Sequence, residues 1–293
     1  GAAYDVLGLA DAATDAYAHA LELSRTLGDR AAESPLLRRL GDAYAARGEL
    51  EPAVEHYRMA LAAYGGLNDR GAVGALHFDM AEIERRLGSN ADGSALAHYE
   101  VALEIAGEVH DVPAQALILQ RMASIHKETG STGEMVRRLE QALQPMRDTG
   151  DRSAELSALM ELAAAYEQLG GSTRSEDAAR CYALAAPLAE ALDDRSMMLA
   201  AHENLGRLAS GAGRPAEACT AFAKAAALAH EEGDLAAELD LRMRLGAAQM
   251  DAGRAAAAID TYGDALTLAR GQAEGALELA ALTRLGEACV AGG

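Results

Sequence analysis

Phosphate-binding loops need a lysine directly after a glycine-rich turn, because its ammonium must reach the phosphates that the turn's amides cradle. The two lysines here, Lys127 and Lys224, follow His126 and Ala223, so a phosphate loop is excluded within this chain. The string GAGRPAE around Gly211 and Gly213 is superficially like a dinucleotide fingerprint, which works only where a strand enters the turn. A helical pattern precedes it here, and it is read as a turn. Acyl transfer from a nucleophile elbow would need GxSxG and zinc proteolysis HExxH; neither occurs. The eight histidines are scattered: His126 stands where neighbouring segments have tyrosine, and His56 and His98 each precede an aromatic, which suits packing rather than metal ligation. Cys181, Cys219 and Cys289 are odd in number and far apart, so they form neither a disulfide framework nor a paired metal knuckle. Nothing beside them would activate a thiolate. The chain is read as non-enzymatic, with no cofactor and no metal.

The remaining candidate chemistry is recognition, and the composition limits its partners. Across 293 residues, 26 Lys plus Arg face 45 Asp plus Glu, a net charge of −19, so nucleic acid is not expected to bind. Half the residues are hydrophobic but only 4% are aromatic and Trp is absent, so alanine supplies much of the apolar content. That composition predicts an all-α protein. No apolar run approaches the roughly 18 residues of a membrane span, and the start lacks a basic region followed by an apolar one. No membrane partner is expected, and a reducing, cytoplasmic location is. Cations drawn almost wholly from arginine, with abundant Ala and Gly, suggest a GC-rich bacterial source.

What must position any recognition residues is a beat of about forty residues. Glycine recurs at Gly8, Gly48, Gly88, Gly130, Gly170, Gly213, Gly253 and Gly293, at separations of 40, 40, 42, 40, 43, 40 and 40. The extra residues in GSNADGSA and GGSTRSEDA fall just after a glycine, where they lengthen a turn without disturbing its flanks. Eight residues before each glycine stands a large apolar side chain, Leu40, Met80, Met122, Leu162, Leu205, Leu245 or Leu285. The next residue is small: Gly41, Ala81, Ala123, Ala163, Gly206, Gly246 or Gly286, a place where another helix can come close. After the turn, Ala and an aromatic recur four apart, as in Ala53 with Tyr57 and Ala218 with Phe222, and alanine follows three later. These spacings keep one helical face apolar, so each unit is predicted to be two amphipathic helices around a glycine turn. Asp29, Asp69, Asp111, Asp151, Asp194 and Asp234 mark the starts of the first helices as N-caps. A lone pair cannot bury its stripe, so pairs are predicted to stack along the whole chain as a single solenoid. Its units are a partial repeat over 1–29, repeats over 30–69, 70–111, 112–151, 152–194, 195–234 and 235–273, and a terminal helix over 274–293.

These residues resemble the tetratricopeptide repeat. The large-then-small pair, the tyrosine four residues before the glycine (Tyr4, Tyr44, Tyr166) and the Ala, aromatic, Ala series carry the likeness over nearly the whole chain. The early Trp of the family is replaced by Leu37, His77, Leu119, Leu159, His202, Arg242 and Leu282, and the proline that usually closes the second helix is missing. The period also exceeds the family's common 34 residues, which implies longer helices. The long variety is similar to the repeats of kinesin light chain, of spindle-orientation adaptors and of bacterial multidomain regulators.

The resemblance implies a right-handed α-α superhelix whose first helices line a concave groove for a segment of another protein. Carried over residue by residue, the groove positions are Arg38, Asp42, Phe78, Glu82, Arg85, Gln120, Ser124, Lys127, Met160, Glu167, Glu203, Arg207, Met243, Met250 and Glu287. They repeat no single chemistry. The Lys and Asn clamp of chaperone-binding members is absent, its places being held by Arg38, Asp42, Asp79, Leu117 and Arg121, and of the groove asparagines of other branches only Asn204 stands at a matching place. Arg38, Arg85, Arg121 and Lys127 would favour an acidic segment or simply form a solvated face, while Met160, Met243 and Met250 suit adaptable recognition or core filling.

The expected function is therefore a protein-interaction module binding a partner peptide or protein in its groove. The alternative is the ligand-responsive sensor region of a larger bacterial transcription regulator or signalling ATPase. The chain begins within a first helix and ends on a turn glycine, as an excised fragment would, with a cloning remnant at Gly1 as the competing account; uncapped ends would allow end-to-end self-association.

Overall fold

A computed structural model of the chain describes residues 10–64, 69–88, 93–271 and 275–292. Among them are fourteen α-helices and no strand, so the all-α expectation holds. They form two compact units, residues 1–150 and 151–293. The first contains α1 (Ala10–Leu27), α2 (Arg30–Ala46), α3 (Leu50–Tyr64), α4 (Arg70–Arg86), α5 (Ser94–Glu108), α6 (Val112–Glu128) and α7 (Thr132–Thr149). The second contains α8 (Arg152–Leu169), α9 (Ser172–Ala191), α10 (Arg195–Gly211), α11 (Pro215–Glu232), α12 (Leu235–Asp251), α13 (Ala255–Gly271) and α14 (Gly275–Gly292). Within each unit every helix packs against its neighbours in sequence, as stacked helix pairs must.

The helix boundaries have local causes. Each of the six capping aspartates accepts a hydrogen bond from the backbone N–H three residues on, from Ala154 to Asp151 at 2.9 Å through to Ala32 to Asp29 at 3.2 Å. Such a cap is worth about 1 kcal/mol. The turns inside the pairs close on left-handed glycines, among them Gly48 at φ 81° and Gly213 at φ 68°. Gly8, Gly293 and Tyr4 lie outside the described residues. Before five of the six capping aspartates stands a left-handed residue as well, Gly28, Gly150 and Gly233 together with His110 (φ 56°) and Asp193 (φ 55°), which hold that conformation without being glycine.

Packing explains the large-then-small pair. A Cβ on Gly41 would come within 2.4 Å of the Tyr57 ring, on Gly206 within 2.6 Å of Phe222, and on Gly246 within 2.5 Å of Tyr262. The second helix thus lays a buried aromatic directly on the first helix's backbone, and full burial of such a ring contributes roughly 1.5–3 kcal/mol. The alanines at the other recurring spacings, such as Ala53, Ala60, Ala178, Ala185, Ala218 and Ala225, have no exposure at all. Cys181 and Cys219 are buried, whereas Cys289 is exposed.

Candidate protein-interaction face

The groove positions carried over from the resemblance sit on α2, α4 and α6 in the first unit and on α8, α10, α12 and α14 in the second. They are positioned by sockets of the kind just described: the first helices α2, α4, α8, α10 and α12 each meet a buried aromatic of the following helix, and in three of these pairs that aromatic's hydroxyl reaches a first-helix carboxylate. Tyr57 donates to Asp42 at 2.9 Å, Tyr182 to Glu167 at 3.0 Å, and Tyr99 donates to Glu82. Burial, aided by these carboxylates, pushes all three phenols well above their ordinary range, so they remain donors at every physiological pH.

Ion pairs then join successive first helices, α2 to α4 to α6 in the first unit and α8 to α10 to α12 in the second. In the first unit Arg38 on α2 pairs with Asp79 on α4 at 2.7 Å, and Arg121 on α6 pairs with Glu82 on α4 at 3.2 Å. Arg85 lies 3.5 Å from Glu82 and 4.0 Å from Glu128. In the second unit Arg207 on α10 pairs with Glu167 on α8, and Arg244 on α12 with Glu203 on α10 at 3.4 Å. Arg207 also donates to Asn204 at 2.9 Å. Desolvation raises the Asp79 carboxyl to about 6 even against the pull of Arg38.

The other positions divide by chemistry. Phe78 is half-buried and meets Tyr99 edge-on at 5.7 Å. The Ser124 hydroxyl donates back to the Gln120 carbonyl at 3.1 Å, so the two share one helical face. Lys127 is exposed, as is Glu287, which accepts from Arg284 at 3.0 Å. Met160, Met243 and Met250 are half-buried, and the last two pack on the core around Tyr262 and Ala288. Thus Arg38, Glu82, Arg85, Glu167, Glu203 and Arg207 join inter-helix pairs, Asp42 is held by a tyrosine, and the methionines share core and surface roles.

Asp79 and Arg244 belong to this arrangement as much as their partners, and the transferred positions omitted both. The available signal was opposite charge about one repeat apart on first helices. Among the described residues, no group of three or more His, Cys, Asp or Glu is placed to hold a metal ion, and no helix is long and apolar enough to cross a membrane.

Comparison with protein-family profiles finds no match, and comparison with curated proteins finds none. Solved structures do match. BtubC (BKLC) from P. vanneervenii is 19% identical at a TM-score of 0.52, covering 76% of this chain and 92% of that one. The signal transduction ATPase with a tetratricopeptide repeat sensor from Pyrococcus horikoshii is 15% identical at 0.51, with 93% of this chain spanning 41% of that protein. The apo form of RapI is 13% identical at 0.51, covering 88% and 98%. At these identities the likeness concerns the fold, which is that of tetratricopeptide-like helical repeats.

Proposed function

We propose that this chain is a non-enzymatic, cytoplasmic protein-interaction module that presents its first-helix face, as a concave groove, to a segment of another protein. The observation that supports it best is the set of pairs linking Arg38 to Asp79, Arg121 to Glu82, Arg207 to Glu167 and Arg244 to Glu203. These pairs fix charged side chains in place before any partner arrives, which lowers the ordering cost of binding. Because the arginines are already neutralised, polar pairs set register while Phe78, Met160 and Met243 give apolar contact. A partner segment rich in acid alone gains little.

A random-peptide display library selected on the purified chain tests the reading. Selected peptides should lose binding at least tenfold to Phe78→Ala and to the Arg38→Glu, Arg85→Glu, Lys127→Glu triple variant, with helicity checked by circular dichroism. Undiminished binding to both folded variants rejects the proposal.

Likeness of fold to the sensor-bearing ATPase supports a second reading, a ligand-responsive sensor in a larger bacterial regulator. A sensor changes its small-angle scattering profile on binding a ligand, whereas a preformed scaffold does not. End-to-end self-association is part of the proposal as well: α14 exposes Leu277, Leu279 and Leu282, and concentration-dependent sedimentation tests it.

A further inference from the structure

We infer that the second unit holds a separate ligand site, on the side of its second helices, for a carboxylate carried on an apolar body. The site lies over α10 between α9 and α11, in an open cavity of about 570 Å³, within the size range of small-molecule pockets. It exists because α10 is underpacked: only Ala201, Gly206 and Ala209 of this helix are buried.

His202 occupies a register that this chain fills with leucine at four of seven places, and Leu37, Leu119 and Leu159 there are at most 4% exposed. Where the register is polar elsewhere, the polar group is satisfied internally. His77 shares a 2.8 Å hydrogen bond with His98, and Arg242 pairs with Glu238 and Asp264. His202 alone of the three makes no hydrogen bond within the described residues. Burial first, and then neighbouring Lys224, lower its pKa, so near neutral pH it is an uncharged imidazole able to donate one hydrogen bond.

Lys224 lines the same cavity and forms no ion pair among the described residues, an unusual state in a chain of net charge −19 with two lysines. Arg180 and Arg214 also line the cavity but are occupied by Asp177 and Glu217 respectively. Glu176 also lines the cavity and opposes a bound carboxylate, as does Glu190, which acts on His202. A carboxylate accepting from Lys224 and His202 satisfies both unpartnered groups, and an apolar body attached to it covers the lining residues Leu205 and Ala221. This site is independent of the first-helix face.

The probe is 4-phenylbutyrate, with 4-phenylbutan-1-ol as its uncharged counterpart and a short capped peptide containing Leu-Glu as the protein-borne form of the same chemistry. Amide NMR titration should show saturable shifts centred on Leu205 and Ala221, with the acid preferred to the alcohol about tenfold, the lower end for a charge-assisted hydrogen bond. Lys224→Met, which keeps the apolar stem of an exposed residue, should weaken the acid about fivefold, and Glu176→Gln should tighten it. Tighter binding of phenylbutyrate than of the peptide assigns the site to a free small acid, and the reverse assigns it to an acidic side chain. Absence of saturable shifts, equal affinity for acid and alcohol, or an unchanged affinity in a folded Lys224→Met overturns the inference.

Discussion

At the scale of single residues, the sharpest constraint is the glycine beneath Tyr57, Phe222 and Tyr262. Replacing Gly206 with Ala gains roughly 0.5–1 kcal/mol of helix propensity. The added methyl, however, would sit 2.6 Å from the Phe222 ring, and overpacking of this kind costs typically 1–3 kcal/mol. The second effect wins, so Gly206→Ala should destabilise the protein by about 1 kcal/mol or more. The molecule itself supplies the rescue: where the small residue is Ala123, the repeat's other half carries the buried Leu139 instead of an aromatic. Phe222→Leu added to Gly206→Ala should therefore cost less than the two single changes summed. A double-mutant cycle by urea denaturation checks this, and strict additivity of the two changes would refute the socket account.

At the scale of elements, the helices were legible in the sequence because their signals are local. Aspartates placed the first-helix starts, glycines the turns, and the Ala and aromatic spacings the buried stripe. Two features were not legible. The left-handed residues His110 and Asp193 share a position but no residue type, so no pattern announced them. The links between first helices require knowing how one pair is rotated on the next, which no single helix encodes; hence Arg38 was placed but Asp79 was not seen as its partner. That pair also carries a pH signature. With Asp79 raised from 3.8 to about 6, the native state binds more protons than the unfolded chain between those values. Stability from this group is full below pH 4 and is lost as pH climbs through 6, on the order of 3 kcal/mol before solvent screening reduces it. Asp79→Asn removes this dependence. Its stability relative to the parent should rise from pH 4 to pH 7, read from urea midpoints at both values, and a difference that stays flat or falls contradicts the assignment.

At the scale of the whole molecule, stability in stacked pairs is a sum of near-neighbour terms, so it should vary along the chain with how much each helix buries. The first helices α6 and α8 bury Leu119, Met122 and Ile125, and Leu156, Leu159 and Leu162, respectively. By contrast α14 buries only Ala281 and Ala288, its Leu282 is 41% exposed, and its Gly286 has no ring against it although Gly41, Gly206 and Gly246 each have one. With about 25 cal/mol for each Å² of apolar surface removed from water, a helix buried through two alanines is held by a small fraction of what holds three large side chains. Opening of α14 should therefore require less free energy than opening of α6 or α8. Native-state hydrogen exchange should show α14 amides exchanging fastest among the first helices, with α6 and α8 among the most protected. Adding a helix that carries the repeat's own Ala-x-x-x-Tyr-x-x-Ala stripe after residue 293 should then slow α14 by filling the Gly286 socket. If α14 is as protected as α6 without that helix, docking of a following helix's large side chain is not what holds a first helix in place.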